Sequence, residues 1–60
     1  MKTIRIICKS TTQRDLLVTC VKTGNPDLKY SIVDDTSAIL HNTTAAWAVA
    51  IRNMGVKVEE

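Results

Sequence analysis

Two phrases in this chain share one grammar. "IICKSTT" occupies residues 6–12 and "AILHNTT" residues 38–44. Each is an apolar run, then a basic or imidazole residue, then Ser or Asn, then Thr-Thr. Each precedes a helix-forming stretch that stops at a glycine, Gly24 in one case and Gly55 in the other. A strand that hands over to a helix within a few residues needs a hydroxyl to accept from the helix's free amides. The far end of the helix favours glycine. A chain that meets both demands twice is written as two βα units.

Hydrophobic periodicity fills in the elements. In "TIRIICK" (3–9) Ile4, Ile6 and Cys8 alternate with Arg5, Ile7 and Lys9, the two-residue period of a strand. Thr11 or Thr12 is a fit N-cap, and Asp15 loosely imitates a capping box. Leu16, Leu17, Cys20 and Val21 then fall on one helical face. Gly24 suits a left-handed position past the last turn, and Pro26 cannot continue the helix. The competing assignment makes residues 12–23 a strand, because "LLVTCVKT" is rich in Val and Thr. The chain would then be an antiparallel sheet with one C-terminal helix. The agreement of cap, period and stop favours the helix.

"LKYSIVD" (28–34) reads as a strand with Leu28, Tyr30 and Ile32 on one face, "DDTS" (34–37) as a turn, and "SAILH" as a short strand. "NTT" caps a second helix, on which Trp47, Ala50, Ile51 and Met54 form a stripe at i, i+3, i+4, i+7. After Gly55, Val56 and Val58 alternate as a last strand. The order βαββαβ over residues 1–60, taken as a single domain, resembles the α+β split-βαβ, ferredoxin-like two-layer sandwich. That resemblance is one of architecture and assigns no function.

A chain of 60 residues buries only about 60% of its unfolded surface, so a second subunit or a partner is a natural support. Hydrophobic residues make up 45% of the chain, and its eight basic and six acidic residues are scattered, with a net charge of +2. The clustered Lys and Arg of a dedicated nucleic-acid binder are missing. No leader and no membrane span is legible, which leads us to expect a cytoplasmic protein, no membrane partner, and Cys8 and Cys20 in the reduced state.

Alternation assigns Ile4, Ile6, Cys8, Tyr30, Ile32, Ala38, Leu40, Val56 and Val58 to the helix-covered face of the sheet. The open face receives Arg5, Ile7, Lys9, Lys29, Ser31, Val33, Ile39, His41, Lys57 and Glu59. Ile7, Val33 and Ile39 form an apolar centre, and Arg5, Lys29, His41 and Lys57 a charged or titratable rim. These seven residues are the expected interface. The alternative is a wet sheet with ordinary exposed aliphatics.

Other chemistries have less to stand on. RNA-binding modules of this topology stack bases on aromatics of the two central strands, where this chain has Ile7 and Ile39. Cys8 and Cys20 form no C-x-x-C and have no second His nearby, so no metal or cofactor is expected. The only imidazole is His41, and Asp34 and Asp35 are explained by turn chemistry, so no catalytic residue is assigned and no enzyme expected. A regulatory domain binding a small ligand would tend to have a glycine or aspartate-rich first loop; "KSTTQRD" has no glycine. The sequence therefore points to a protein–protein interaction module, acting as a homodimer or on a protein partner, of the accessory inhibitor or phage-type antitoxin kind. Nucleic-acid binding and small-ligand regulation are the alternatives.

Overall fold

The computed structural model describes residues 2–60 and has the order expected: β1 (Lys2–Ile7), α1 (Thr11–Gly24), β2 (Lys29–Ile32), β3 (Ser37–Thr43), α2 (Ala45–Asn53) and β4 (Lys57–Glu59). The strands make one antiparallel sheet in the order β2-β3-β1-β4, with β3 and β1 central. This is the ferredoxin-like arrangement. Residues 12–23 are helical.

The strand–helix junctions work as the repeated phrase requires, with one shift of position. The first cap is Ser10, not Thr11 or Thr12. Its hydroxyl accepts from the Gln13 amide at 3.1 Å, and Gln13 Oε1 accepts in return from the Lys9 amide at 2.8 Å. The arrangement is a variant of the capping box in which the Gln13 side chain reaches the amide of Lys9, one residue before the Ser10 cap, and Asp15 has no part in it. Thr11 instead donates to the Asp35 carbonyl at 2.7 Å, which ties the start of α1 to the β2–β3 loop. At the second junction Thr44 caps α2 by accepting from the Trp47 amide. Thr43, fully buried, donates its hydroxyl to the Lys2 carbonyl at 3.1 Å. The central strand β3 runs on to that residue, beyond the "SAILH" expected.

The two glycines differ. Gly55 has φ +85°, the left-handed conformation expected of a helix stop. Gly24 is still helical, and the cap beyond it is Asn25, with φ −141°. What Gly24 supplies is room for the Trp47 indole.

The core lies between the sheet and the helices. Ile4, Ile6, Cys8, Ala38, Leu40 and Val56 from the sheet side meet Leu17, Val18, Val21, Ala48 and Ile51, and Leu28 closes one end. Trp47 and Val58 pack at the margin. Six expected core residues lie outside it, of which Ala50 is half-buried on α2. Leu16, Cys20 and Met54 are exposed because α1 buries the arc Leu17–Val18–Val21, and α2 buries Ala48 and Ile51 and ends before Met54. Tyr30 and Ile32 point to the helix side but stand on the edge strand β2, beyond the reach of two helices, and remain 44% and 50% exposed.

Candidate interaction face

The register places the open-face residues in rows across the strands. Ile7 of β1 sits between Ser37 of β3 and Lys57 of β4. In the next row Arg5 sits between Ile39 and Glu59, and Ile39 is flanked on its other side by Ser31 of β2. In the third, His41 faces Lys29. Val33 extends the first row: its amide donates to the Ser37 carbonyl at 3.1 Å. All seven expected interface residues therefore share the sheet face away from the helices, the face opposite the buried Ile4, Ile6, Ala38 and Leu40.

Their arrangement is finer than simple alternation suggests. Ile7 and Ile39 are diagonal neighbours, because the residues directly opposite them are Ser37 and Arg5. Diagonal pairs on a sheet stay within reach of long side chains. Both isoleucines are half-buried, and Val33 is 42% exposed. Arg5, Lys29 and Lys57 are exposed, with Glu59 the acidic residue opposite Arg5, so the rim is mainly cationic. Ser37, in register with Ile7, is 1% exposed.

The loops that could have carried other chemistry are occupied by the fold. Asp34 Oδ1 accepts from the amides of Thr36 and Ser37, both at 2.9 Å, and from the Thr36 hydroxyl at 3.3 Å. These bonds, led by the Thr36 amide, hold its carboxyl below the ordinary carboxylate range. Arg14 donates to the Asp34 carbonyl at 2.5 Å and to Asp15. In the first loop, Ser10, Thr11, Gln13 and Arg14 are thus all engaged within the chain. His41 stands four residues along β3 from Ser37, about 13 Å at the usual rise of a strand, and so is remote from Asp34. Both thiols are free, Cys8 buried and Cys20 exposed; burial pushes the Cys8 thiol up, with the Arg14 charge opposing. Among the described residues no cluster of three or more His, Cys, Asp or Glu side chains gathers as a metal site would need, and no helix is long and apolar enough to cross a membrane.

Two further surfaces were not expected from the sequence. A mainly apolar groove of about 420 Å³ runs along the helix layer between α1 and the end of α2, lined by Leu16, Leu17, Cys20, Met54 and Val56. A smaller one of about 230 Å³ separates α1 from β2, lined by Arg14, Val18, Tyr30 and Ile32 among others. The signal for both lies in α1, whose apolar residues at 16, 17, 18, 20 and 21 form an arc too wide for one contact face.

No family model matches this chain, and neither the curated proteins nor the solved structures provide a match.

Proposed function

We propose that this protein is a small protein–protein recognition module that binds through the open face of its sheet, with Ile7, Val33 and Ile39 as the desolvated centre and Arg5, Lys29, His41 and Lys57 as the rim. The observation that carries this reading is the placement of the two central-strand isoleucines on the face that no helix covers, diagonal to one another and ringed by mostly cationic side chains. An apolar centre inside a polar rim is the usual anatomy of a recognition surface. The rim fits an acidic partner, to which it would give orientation and a fast approach. A role as an accessory inhibitor or phage-type antitoxin, blocking a larger protein, suits a chain whose polar loops are engaged internally.

The nucleic-acid reading is weaker on this geometry. Tyr30 is exposed, but it lies on an edge strand and on the helix side, where it cannot form a stacking platform with the central strands. The small-ligand reading is weakened by the first loop, whose polar groups are engaged in capping and in holding the β2–β3 loop.

The test is partner capture from source-cell lysate on immobilised protein, with three variants run in parallel. Ile7→Asp and Ile39→Asp should lose the captured species while their circular dichroism is unchanged. Leu16→Asp, on the helix layer, should retain it. If both sheet-face variants capture the same species as the parent protein, binding does not use this face.

A further inference from the structure

The sheet has two free edges, and they are built differently. β4 is only three residues long, and the chain just beyond it is pinned by Glu60, which accepts from Lys2 and Arg52. β2 has no such cover. Lys29–Ile32 pairs with β3 alone, in unbroken register, with all four residues exposed and neither proline nor bulge to blunt it.

The direction of its backbone groups follows from one bond. The Val33 amide donates to Ser37, so odd-numbered residues of this strand turn their N–H and C=O toward β3. The even-numbered Tyr30 and Ile32 turn theirs outward. The same two residues hold their side chains half-exposed beside the α1–β2 groove. Unpaired backbone and unburied apolar side chains therefore coincide at two positions, a juxtaposition that an added strand would relieve at once.

We propose that β2 pairs with β2 of a second copy of this chain, antiparallel about a two-fold axis at Ser31, to make one continuous eight-stranded sheet. Self-complementarity selects this occupant. Within β2, only the register centred on Ser31 uses both outward-facing residues in hydrogen-bonded pairs: Tyr30 meets Ile32 of the second copy, twice. Lys29 then lies opposite Val33, so no like charges oppose. The flanking helices agree. Asp15 and Lys22 lie on α1 to either side of Val18 and Thr19, which line the groove together with Tyr30 and Ile32 of β2. The Asp15 side chain is 61% exposed although it accepts from Arg14 of its own chain, and Lys22 is held over the Tyr30 ring at 5.9 Å. The two-fold sets the Asp15 end of each α1 toward the Lys22 end of the other. A four-residue edge makes this a weak association that depends on concentration.

The axis supplies its own test. Ser31 faces its own copy in a non-hydrogen-bonded pair, with a Cα separation near 4.5 Å, inside the disulfide range. In a Cys20→Ser background, Ser31→Cys should form a covalent dimer quickly under diamide. Lys29→Cys, on the same face and two residues away, faces Val33 of the other copy and should form no covalent dimer. Sedimentation of the parent protein should show a reversible dimer, and the double variant Tyr30→Lys/Ile32→Lys should remove it with the circular dichroism unchanged. A parent protein that stays monomeric at millimolar concentration overturns the proposal. So does Ser31→Cys cross-linking no faster than Lys29→Cys, which would place any dimer on another surface. Purified protein suffices for both arms, so the result is separate from that of partner capture by the open face.

Discussion

A methyl group built on Gly24 would lie 2.6 Å from Cζ2 and 3.1 Å from Cη2 of Trp47. The last turn of α1 and the first turn of α2 thus meet where only a hydrogen fits. Alanine is the better helix former by roughly 0.5–1 kcal/mol, yet Gly24→Ala should destabilise the protein, by about 1–2 kcal/mol net in urea denaturation, because the ring must shift. In a Trp47→Leu background the obstacle is gone, and Gly24→Ala should become neutral or stabilising. Stabilisation in the parent protein would mean that the indole moves aside freely.

The caps give a second prediction, about position. Ser10→Ala should cost about 1 kcal/mol, since it leaves the Gln13 amide without its acceptor. Thr44→Ala should cost a similar amount at α2. Thr12→Ala, at an exposed position inside the first turn, should fall within about 0.5 kcal/mol of the parent. A larger loss at Thr12 than at Ser10, measured by chemical denaturation, would move the helix start to where the repeated Thr-Thr places it.

The topology was legible because period, cap and stop agree twice along the chain, and no long-range information was needed to see it. The seven open-face residues were legible from alternation, which holds along the central strands as far as the register shift between Lys2 and Ile4 of β1, near Asn42 of β3 with its φ of +62°. What alternation could not supply was the width of the helix layer. Tyr30 and Ile32 have the right parity to be buried, but two helices cover the central strands and leave β2 uncovered. Leu16 and Cys20 have the right spacing too. The helix settles on Leu17, Val18 and Val21 instead, so the apolar arc of α1 is only partly used. Ser10 was overlooked in favour of two threonines, although Gln13 stands three residues on, at the capping-box spacing, and its side chain accepts from the neighbouring Lys9 amide.

Acid should weaken the protein through two carboxylates. Backbone amides hold the Asp34 carboxyl below its ordinary value, and bonds from Lys2 and then Arg52 do the same for Glu60. With the folded value below the unfolded one, the unfolded chain takes up protons first as pH falls. The stabilisation is therefore complete above the ordinary carboxylate range, about pH 4, and is lost as pH drops through the folded values. Asp34→Ala should lower the urea midpoint at neutral pH, and its difference from the parent should shrink steadily below about pH 4. A difference that stays constant down to the acid transition would show that the loop's stability owes nothing to ionised Asp34.

The rotation of α1 can be read by truncating residues two positions apart. Val18 is 6% exposed and Leu16 is 66% exposed. Val18→Ala should therefore cost about 1–2 kcal/mol, and Leu16→Ala less than about 0.5 kcal/mol, although leucine loses the larger group. Ile51, fully buried on the inner side of α2, sets the upper end. Ile51→Ala should cost about 2–5 kcal/mol, as much as the core of a domain this small commonly supplies, about 3–5 kcal/mol, so that variant should be largely unfolded at room temperature. The order Ile51, then Val18, then Leu16 in thermal or urea denaturation follows from burial alone. If Leu16→Ala cost as much as Val18→Ala in dilute protein, the helix would face the sheet with the Leu16–Cys20 stripe, and the groove beside Met54 would be filled by the chain itself.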